Sequence, residues 1–176
     1  CALPISLAGA RESRAPAFFQ GGTMSLWYRV FARSESAADP VAMAELAQII
    51  HPGTTCHFGA DEAGWFSCEV RLPDGAALNL DRYLVAEEGV RRDLNTWAAW
   101  VETCDYSDRV DELMERVIQS QQFFTLRRPL AAANDLAIEK LATGICRHLS
   151  TTLDGIWQAD GDGLYDASGE KILQEY

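Results

Sequence analysis

Alternating and helical hydrophobic patterns follow one another along this chain, and they predict most of its secondary structure. Residues 26–33 place Leu26, Tyr28, Val30 and Ala32 at every second position. This period of two is typical of a half-buried strand. We therefore predict that the first strand covers residues 26–33.

The next pattern predicts a helix over residues 40–50. Asp39 can cap its first turn, and Pro40 suits its first position because proline lacks the N–H that is unused there. Apolar residues then recur at helical spacing until His51-Pro52-Gly53 ends the helix.

Residues 54–80 contain three strand-like runs, which are joined by turn residues at 60–64 and at Pro73-Asp74-Gly75. One face of the middle run carries Phe66, Cys68, Val70 and Leu72, and the other carries Ser67, Glu69 and Arg71. We expect a sheet with one face in water and the opposite face covered by helices. We also expect Trp65 to be an exposed aromatic residue.

Three helical patterns follow. The first covers roughly 84–102, and the second begins at Ser107 and has its apolar surface extended by Phe123 and Phe124. The third is capped by Asn134 and places Arg147 and His148 at its negative end. The chain closes with short strands between 156 and 173, separated by Asp-Gly and Ser-Gly turns.

These elements predict an α+β fold with a mostly antiparallel sheet covered by helices. The predicted order is β-α-β-β-(β)-α-α-α, followed by a short C-terminal β-meander. Residues 24–176 are expected to form a single domain. Residues 1–23 lack periodicity, and we interpret them as a loosely packed tail, either translated upstream of the native start or left from an export signal. The charged residues at 11, 12 and 14 favour the upstream origin.

Charge and cysteine content narrow the classes of function. The chain of 176 residues has 15 Lys and Arg against 26 Asp and Glu, a net charge of -11. This charge argues against nucleic acid and suits a basic protein partner or a cation better, although net charge more often reflects solubility than a partner. No apolar run reaches the roughly 20 residues that a membrane span needs. The five scattered cysteines favour buried free thiols and a cytoplasmic location.

The final segment contains an incomplete calcium-loop pattern. If Gln158 takes the first loop position, Asp160, Asp162 and Asp166 take the third, fifth and ninth. The first position lacks an acid, and Gly169 stands where a bidentate Glu is needed. Asp-Gly pairs also suit tight turns without any metal. We favour turns, keep a weak calcium module at 158–170 as the alternative, and expect no cofactor.

A second candidate site lies in the first of these helices. Charged, amide and aromatic side chains cluster there over about two turns, namely Glu87, Glu88, Arg91, Arg92, Asn95, Trp97 and Trp100. Paired carboxylates beside tryptophans could line a pocket and supply an acid and a base. The alternative is a solvated helix face with Glu-to-Arg pairs four residues apart.

Cys56 and His57 have the side chains of a nucleophile and its base. Successive strand residues point to opposite faces, so we expect these two side chains to diverge. Cys56 and Cys68 are expected to share the buried face of the sheet.

Three segments carry a family resemblance: LDRYLVAEEGVRRDLNTWAAWVE, QSQQFFTLRRP and DGIWQADGDGLYDASGEKIL. Together they resemble an uncharacterised family of small bacterial proteins, a domain of unknown function, over most of residues 24–176. This resemblance implies an α+β domain and carries no activity to transfer.

Three functional hypotheses follow from the sequence. The first is an acidic, non-catalytic, cytoplasmic interaction domain that binds a basic protein partner, as immunity proteins neutralise toxins. The second is an enzyme that uses carboxylates near Glu87 and Glu88. The third is calcium-assisted binding at 158–170. The sequence leaves the oligomeric state open.

Overall fold

The computed structural model describes residues 25–104, 106–132 and 135–175. Its strands are β1 Ser25–Ala32, β2 Thr55–Asp61, β3 Gly64–Arg71, β4 Ala77–Leu84, β5 Gln122–Pro129, β6 Gly155–Ala159, β7 Gly163–Tyr165 and β8 Lys171–Gln174. Its helices are α1 Pro40–Ile50, α2 Val90–Glu102, α3 Val110–Ile118 and α4 Leu136–Thr152, with a single 3-10 turn at Leu130–Ala132.

The strands of these ranges form one antiparallel sheet of eight, in the order β2-β3-β4-β5-β1-β6-β7-β8. The first strand of the chain lies inside the sheet, between β5 and β6. The C-terminal strands therefore join the main sheet. The predicted α+β class with an antiparallel sheet and a C-terminal meander is confirmed.

The sheet has one face that is apolar along most of its width, which we call the first face. Val30, Cys68, Phe124 and Trp157 lie on it and pack against α1 and α4. Helix α1 contacts the β2 end of the sheet, while α4 contacts β1, β5 and β6. Gly144 of α4 lies against Ile50 of α1, which brings the two helices together.

The opposite face, the second face, is apolar over only part of its width. Phe31, Phe123 and Ile156 pack there with residues of α2 and α3. Towards β2 the same face carries Glu69 and Asn79, which are only partly buried. The prediction that one face of β3 is wet is confirmed, since Cys68, Val70 and Leu72 are buried and Arg71 is exposed.

The expectation that Trp65 is exposed is wrong. Trp65 is only 4% exposed, because its indole lies in the first-face core and its Nε1 donates to the carbonyl of Ala38 at 2.8 Å. Phe66 is also buried, but the β2–β3 register shifts between Gly59 and Ala60 and interrupts the strict alternation. A bulge of this kind re-aims side chains in a way that periodicity does not reveal.

The strand β5 was not predicted. Phe123 and Phe124, which the helical pattern assigned to the surface of a preceding helix, are neighbours in β5 and point to opposite faces. Both are buried, so the segment shows a continuous apolar run instead of an alternation.

Helix boundaries also differ from the predictions. The segment 84–89 is the end of β4 and a turn, and α2 begins at Val90 after Gly89, whose φ is 87°. Asp135 caps α4 by accepting N–H groups of Ala137 and Ile138, and Asn134 lies outside the described residues. Because α4 continues to Thr152, Arg147 and His148 lie within the helix and not at its end.

The described cysteines match the prediction of buried free thiols. Cys56, Cys68, Cys104 and Cys146 are all buried and unbridged. Burial raises the pKa of Cys146, which keeps its thiol protonated. Cys56 is buried while the adjacent His57 is exposed, so the two side chains diverge as expected.

Candidate functional site

The predicted cluster near the start of α2 is divided by the true helix boundary. Glu87 and Glu88 lie in the turn before the helix, and the Glu87 carboxylate accepts the backbone N–H of Leu84 at 2.7 Å. Glu88 is exposed. The two acids therefore lie outside the helix that the pattern assigned to them, and their pairing with arginines four residues later stays a prediction.

The remaining residues of that cluster extend along α2. Arg91, Arg92 and Asn95 are exposed, and Arg91 donates to the carbonyl of Ile118 in α3. Trp97 and Trp100 are partly buried and meet edge to face at 5.4 Å. A pocket lined by the seven residues from Glu87 to Trp100 remains a prediction. Glu87 and Glu88 precede the helix that carries the other five.

Trp97 has a second contact that the sequence did not indicate. The guanidinium of Arg29 on β1 lies 4.8 Å from the centre of the Trp97 ring. Arg29 also donates to Gln158 at 2.8 Å and forms an ion pair with Asp160. This arginine therefore joins α2 to the C-terminal meander on the second face.

The three acids of the calcium-loop pattern all have protein partners. Asp160 pairs with Arg29, and Asp162 accepts hydrogen bonds from Lys171 and Tyr165. Asp166 accepts from the Ser168 hydroxyl at 2.6 Å and from the backbone N–H of Glu170 at 2.9 Å. The contacts of Asp166 are those of a tight turn, which supports the turn interpretation there, while Asp160 and Asp162 are held by ion pairs with other strands.

Their ionisation agrees with these contacts. The hydrogen bond from Lys171, and then that from Tyr165, holds the pKa of Asp162 below its ordinary value. Burial opposes ionisation of Asp166, but hydrogen bonds from Ser168 and Glu170 outweigh burial and lower its pKa. Within the described ranges, no three His, Cys, Asp or Glu side chains form a group that could hold a metal. Calcium binding stays an untested alternative.

A concave site lies next to this meander, on the first face. It has a volume of about 400 Å³ and is bounded by the start of β1, the end of β5, α4 and the β6–β7 hairpin. We call it the α4 cleft. The side chains that carry its chemistry are Tyr28, Arg128, Glu139, Arg147, Trp157 and Tyr165.

The secondary structure explains why these side chains converge. Glu139, Thr143 and Arg147 follow one another at intervals of four along α4, so they share one stripe of the helix. Tyr28 and Arg128 lie on the neighbouring strands β1 and β5, where Tyr28 pairs with Leu126 and Arg128 with Leu26. The cleft therefore begins where the apolar part of the first face ends.

Tyr28 is the most informative residue of the cleft. It is 6% exposed, and its hydroxyl takes part in none of the hydrogen bonds within the described part of the chain. Burial raises its pKa, the positive charge of Arg128 lowers it, and the carboxylate of Glu139 adds to the increase. The hydroxyl is thus a protonated donor at neutral pH that faces the cleft.

Two arginines accompany that hydroxyl. Arg128 is 5% exposed, and its guanidinium lies 5.9 Å from the centre of the Tyr28 ring. Arg147 donates to the carbonyl of Ser168 at 2.7 Å, a neutral acceptor that leaves its positive charge in place. Guanidinium groups bind carboxylate and phosphate oxygens through paired N–H donors.

The far wall of the cleft is aromatic. Trp157 and Tyr165 are stacked, with ring centres 4.1 Å apart and an interplanar angle of 9°. The Trp157 Nε1 donates to the carbonyl of Asp166 at 3.1 Å, and Lys171 lies over the outer face of Tyr165. These contacts fix the wall before any ligand arrives, which reduces the entropy lost on binding.

The sequence analysis did not find this site. It singled out the acids at 160, 162 and 166, two of which border the cleft, but it missed Tyr28 and Arg128 because both lie on strands defined by their apolar neighbours. The signal that was available is the interval of four between Glu139, Thr143 and Arg147. It marks a polar stripe beside the buried stripe of the same helix.

Comparisons with known proteins found no similar protein. No family model, curated protein or solved structure matches this chain. The resemblance to a small bacterial family therefore stays a prediction. None of the helices in the described ranges combines the length and apolar character that a membrane crossing requires.

Proposed function

We propose that this protein is a non-catalytic binding protein whose α4 cleft receives an anionic group of its ligand. The observation that carries the proposal is the Tyr28 hydroxyl, which is protonated, reaches the cleft from a largely buried ring and has no hydrogen-bond partner among the described residues. A ligand oxygen in the cleft would supply that partner.

The charges around Tyr28 favour an anion over a cation, because the guanidinium groups of Arg128 and Arg147 outnumber Glu139, the cleft carboxylate that has no ion pair among the described residues. The bordering carboxylates of Asp160 and Asp162 are paired with Arg29 and Lys171. Arg147 keeps its positive charge beside a neutral carbonyl. A carboxylate or phosphate in the cleft could therefore accept from Tyr28 and Arg147 at once, and hydrogen bonds to charged groups are the stronger kind.

The proposal is tested with inorganic phosphate and acetate as probes, by measuring binding through the shift of the melting temperature. Tyr28→Phe removes only the hydroxyl, and Arg147→Gln removes the guanidinium with its charge and its hydrogen bond to Ser168. Each should weaken binding about tenfold or more, as expected for a lost hydrogen bond to a charged group. The control is Arg71→Gln, because Arg71 is exposed on β3 and pairs with Glu69. Equal binding by all four proteins would refute the proposal.

A basic protein partner is a second candidate, and the meander provides its observation. Residues 154–175 contain six acids and one basic residue, Lys171. Asp154, Asp160 and Asp162 are in ion pairs, whereas no ion pair between described residues includes Asp166, Glu170 or Glu175. Such a field attracts basic surfaces and is screened by salt. The outer side of the meander would then meet the partner, while the α4 cleft takes an anionic group.

This second candidate can be tested with a decalysine peptide. Asp166→Asn with Glu170→Gln should weaken its binding at low salt. Glu45→Gln with Glu62→Gln, which removes the same charge on α1 and in the β2–β3 turn, should weaken it less. If the two double variants behave alike, the meander is not the binding surface.

A further inference from the structure

The side chain of Arg147 lies against the loop that joins β7 to β8, residues 166–170. Its Nη2 donates to the carbonyl of Ser168 at 2.7 Å. A Cβ atom at position 169 would lie 3.0 Å from the Nε and 3.3 Å from both the Cδ and the Cζ of this arginine. Because glycine has no Cβ, the backbone of Gly169 leaves room for a guanidinium that any other residue would crowd.

The loop is fixed by contacts that do not involve Arg147. The Asp166 carboxylate accepts the Ser168 hydroxyl at 2.6 Å. The Thr151 hydroxyl of α4 donates to the carbonyl of Ala167 at 3.2 Å, which ties the loop to the helix that carries Arg147. The loop therefore forms a firm surface against which the arginine packs before any ligand arrives.

Arg147 gains from this support because its side chain is long and exposed. It borders the α4 cleft, and an arginine that is not held has many rotamers to lose when it binds a ligand. The bond to Ser168 uses one of the five guanidinium N–H donors and leaves others for the oxygen atoms of a ligand. An arginine whose orientation is fixed beforehand loses less conformational entropy on binding.

We infer that Gly169 is a positioning residue of the α4 cleft, which allows Arg147 to take the orientation in which it meets an anionic group. The inference rests on the proposed function, because Arg147 is one of the groups assigned to the anion. Gly169 brings no side chain to the ligand and acts through the arginine. A side chain at position 169 would push the guanidinium away from its bond to Ser168 and change its place in the cleft.

The test compares Gly169→Ala with Gly75→Ala. Both glycines have a left-handed backbone, with φ of 89° and 92°, so alanine strains the two positions to a similar degree. A Cβ at position 75 meets no atom of the described residues within 4 Å. Both variants should lose similar stability, and only Gly169→Ala should displace Arg147. Gly169→Asn and Gly75→Asn repeat the comparison with less strain, because asparagine tolerates this backbone.

Inorganic phosphate is the probe for the effect on binding. Gly169→Ala should weaken phosphate binding about threefold or more, while Gly75→Ala should bind like the wild type. Gly169→Ala should cause no further loss in an Arg147→Gln protein, because a residue that acts through Arg147 has no effect once the arginine is gone. Equal binding by the two glycine variants, or a further loss in the Arg147→Gln protein, would overturn the inference.

The nitrogen–proton signal of the Arg147 Nε provides a measurement that needs no phosphate. Comparison with Arg147→Gln assigns the signal. Gly169→Ala should shift it in the ligand-free protein, because Nε is the atom nearest to the added Cβ, and Gly75→Ala should not. A wild-type protein that does not bind phosphate would refute the proposed function, and this signal would then decide the positioning alone. An unshifted signal in Gly169→Ala would overturn the inference even where phosphate binds.

Discussion

The two faces of the sheet are built from the same strands and yet differ in how far their apolar surface extends. On the first face, α1 and α4 together cover a core that reaches from Phe58 on β2 to Trp157 on β6. On the second face, apolar packing around Phe31 is confined to the part beneath α2 and α3. The comparison teaches that the polar side chains of the sheet lie where no helix packs against it.

The cover ends differently on the two faces. On the second face the helices leave the strands nearest the β2 edge uncovered. A shallow polar surface remains there that includes His57, Asn79 and Arg127. On the first face the apolar cover stops partway along β1 and β5, beyond Val30 and Leu126. The α4 cleft lies over the remaining ends of these two strands. We assign binding to the cleft because it is concave and contains the Tyr28 hydroxyl, which has no partner among the described residues.

The largest expected effect is a difference in stability between two substitutions in β5, one on each face of the sheet. Phe124 is fully buried on the first face, while Arg127 is exposed on the second. Phe124→Ala should lower the free energy of unfolding by about 3–5 kcal/mol, because it leaves a cavity in the core. Arg127→Ala should change it by about 0.5 kcal/mol at most. Urea denaturation measures both, and comparable losses would contradict the assignment of the faces.

The next effect concerns the acids of the C-terminal meander. Asp160 pairs with Arg29, whose side chain is only 11% exposed, whereas the Asp162 and Lys171 side chains are 50% and 34% exposed. Asp160→Asn should therefore cost about 1–2 kcal/mol of unfolding free energy, and Asp162→Asn less than about 1 kcal/mol. Thermal unfolding of the two variants shows which one loses more stability. A larger loss for Asp162→Asn would show that the Arg29–Asp160 pair contributes less to stability than the exposed pair.

A smaller effect, the dependence of stability on pH, is expected from His148 on α4. Burial holds the pKa of His148 below its ordinary value of 6.5, although the nearby Asp39 opposes the shift. The unfolded chain therefore binds the proton more readily, and stability should fall as the pH drops below about 6.5. His148→Gln should reduce this dependence between pH 7 and 5.

The control for that measurement is His57→Gln, because His57 is exposed on the second face. It should leave the dependence of the melting temperature on pH as in the wild type. An unchanged slope in His148→Gln would mean that other groups cause the loss of stability in acid.

The smallest expected effect is that of calcium. The acids at 160, 162 and 166 have protein partners, and the pattern lacks acids at its first and last ligand positions. A site of this kind binds no tighter than about 0.1–1 mM, so micromolar calcium should leave the melting temperature unchanged. Micromolar binding by calorimetry would show that the partners of these acids are displaced.

The sequence predicted the elements whose pattern is local. Strand β1, helix α1 and the alternation in β3 follow from spacing and capping, as with Asp39 before α1. It failed for β5 because a strand buried on both faces loses its period of two. It failed at the start of α2 because the backbone of Gly89, with a φ of 87°, begins the helix later than the side-chain pattern suggests.

The candidate site was harder to predict because it joins distant parts of the chain. Tyr28 and Glu139 are separated by more than a hundred residues and meet only through the order of the strands and the packing of α4. Each looks ordinary in its own segment. The sequence predicted instead the polar clusters that are close together along the chain, which lie at the start of α2 and in the C-terminal turns.

The most direct test of the α4 cleft observes Tyr28 itself. The chain has five tyrosines, so ring-labelled tyrosine gives a simple carbon spectrum in which Tyr28→Phe assigns the resonance of residue 28. Adding phosphate should shift the Tyr28 resonance, and to a smaller degree that of Tyr165 on the opposite wall, with a saturable dependence on concentration. Tyr83 and Tyr106, which lie outside the cleft, should not move. An unmoved Tyr28 resonance, or equal shifts of all the tyrosines, would contradict the proposal that the cleft binds anionic groups.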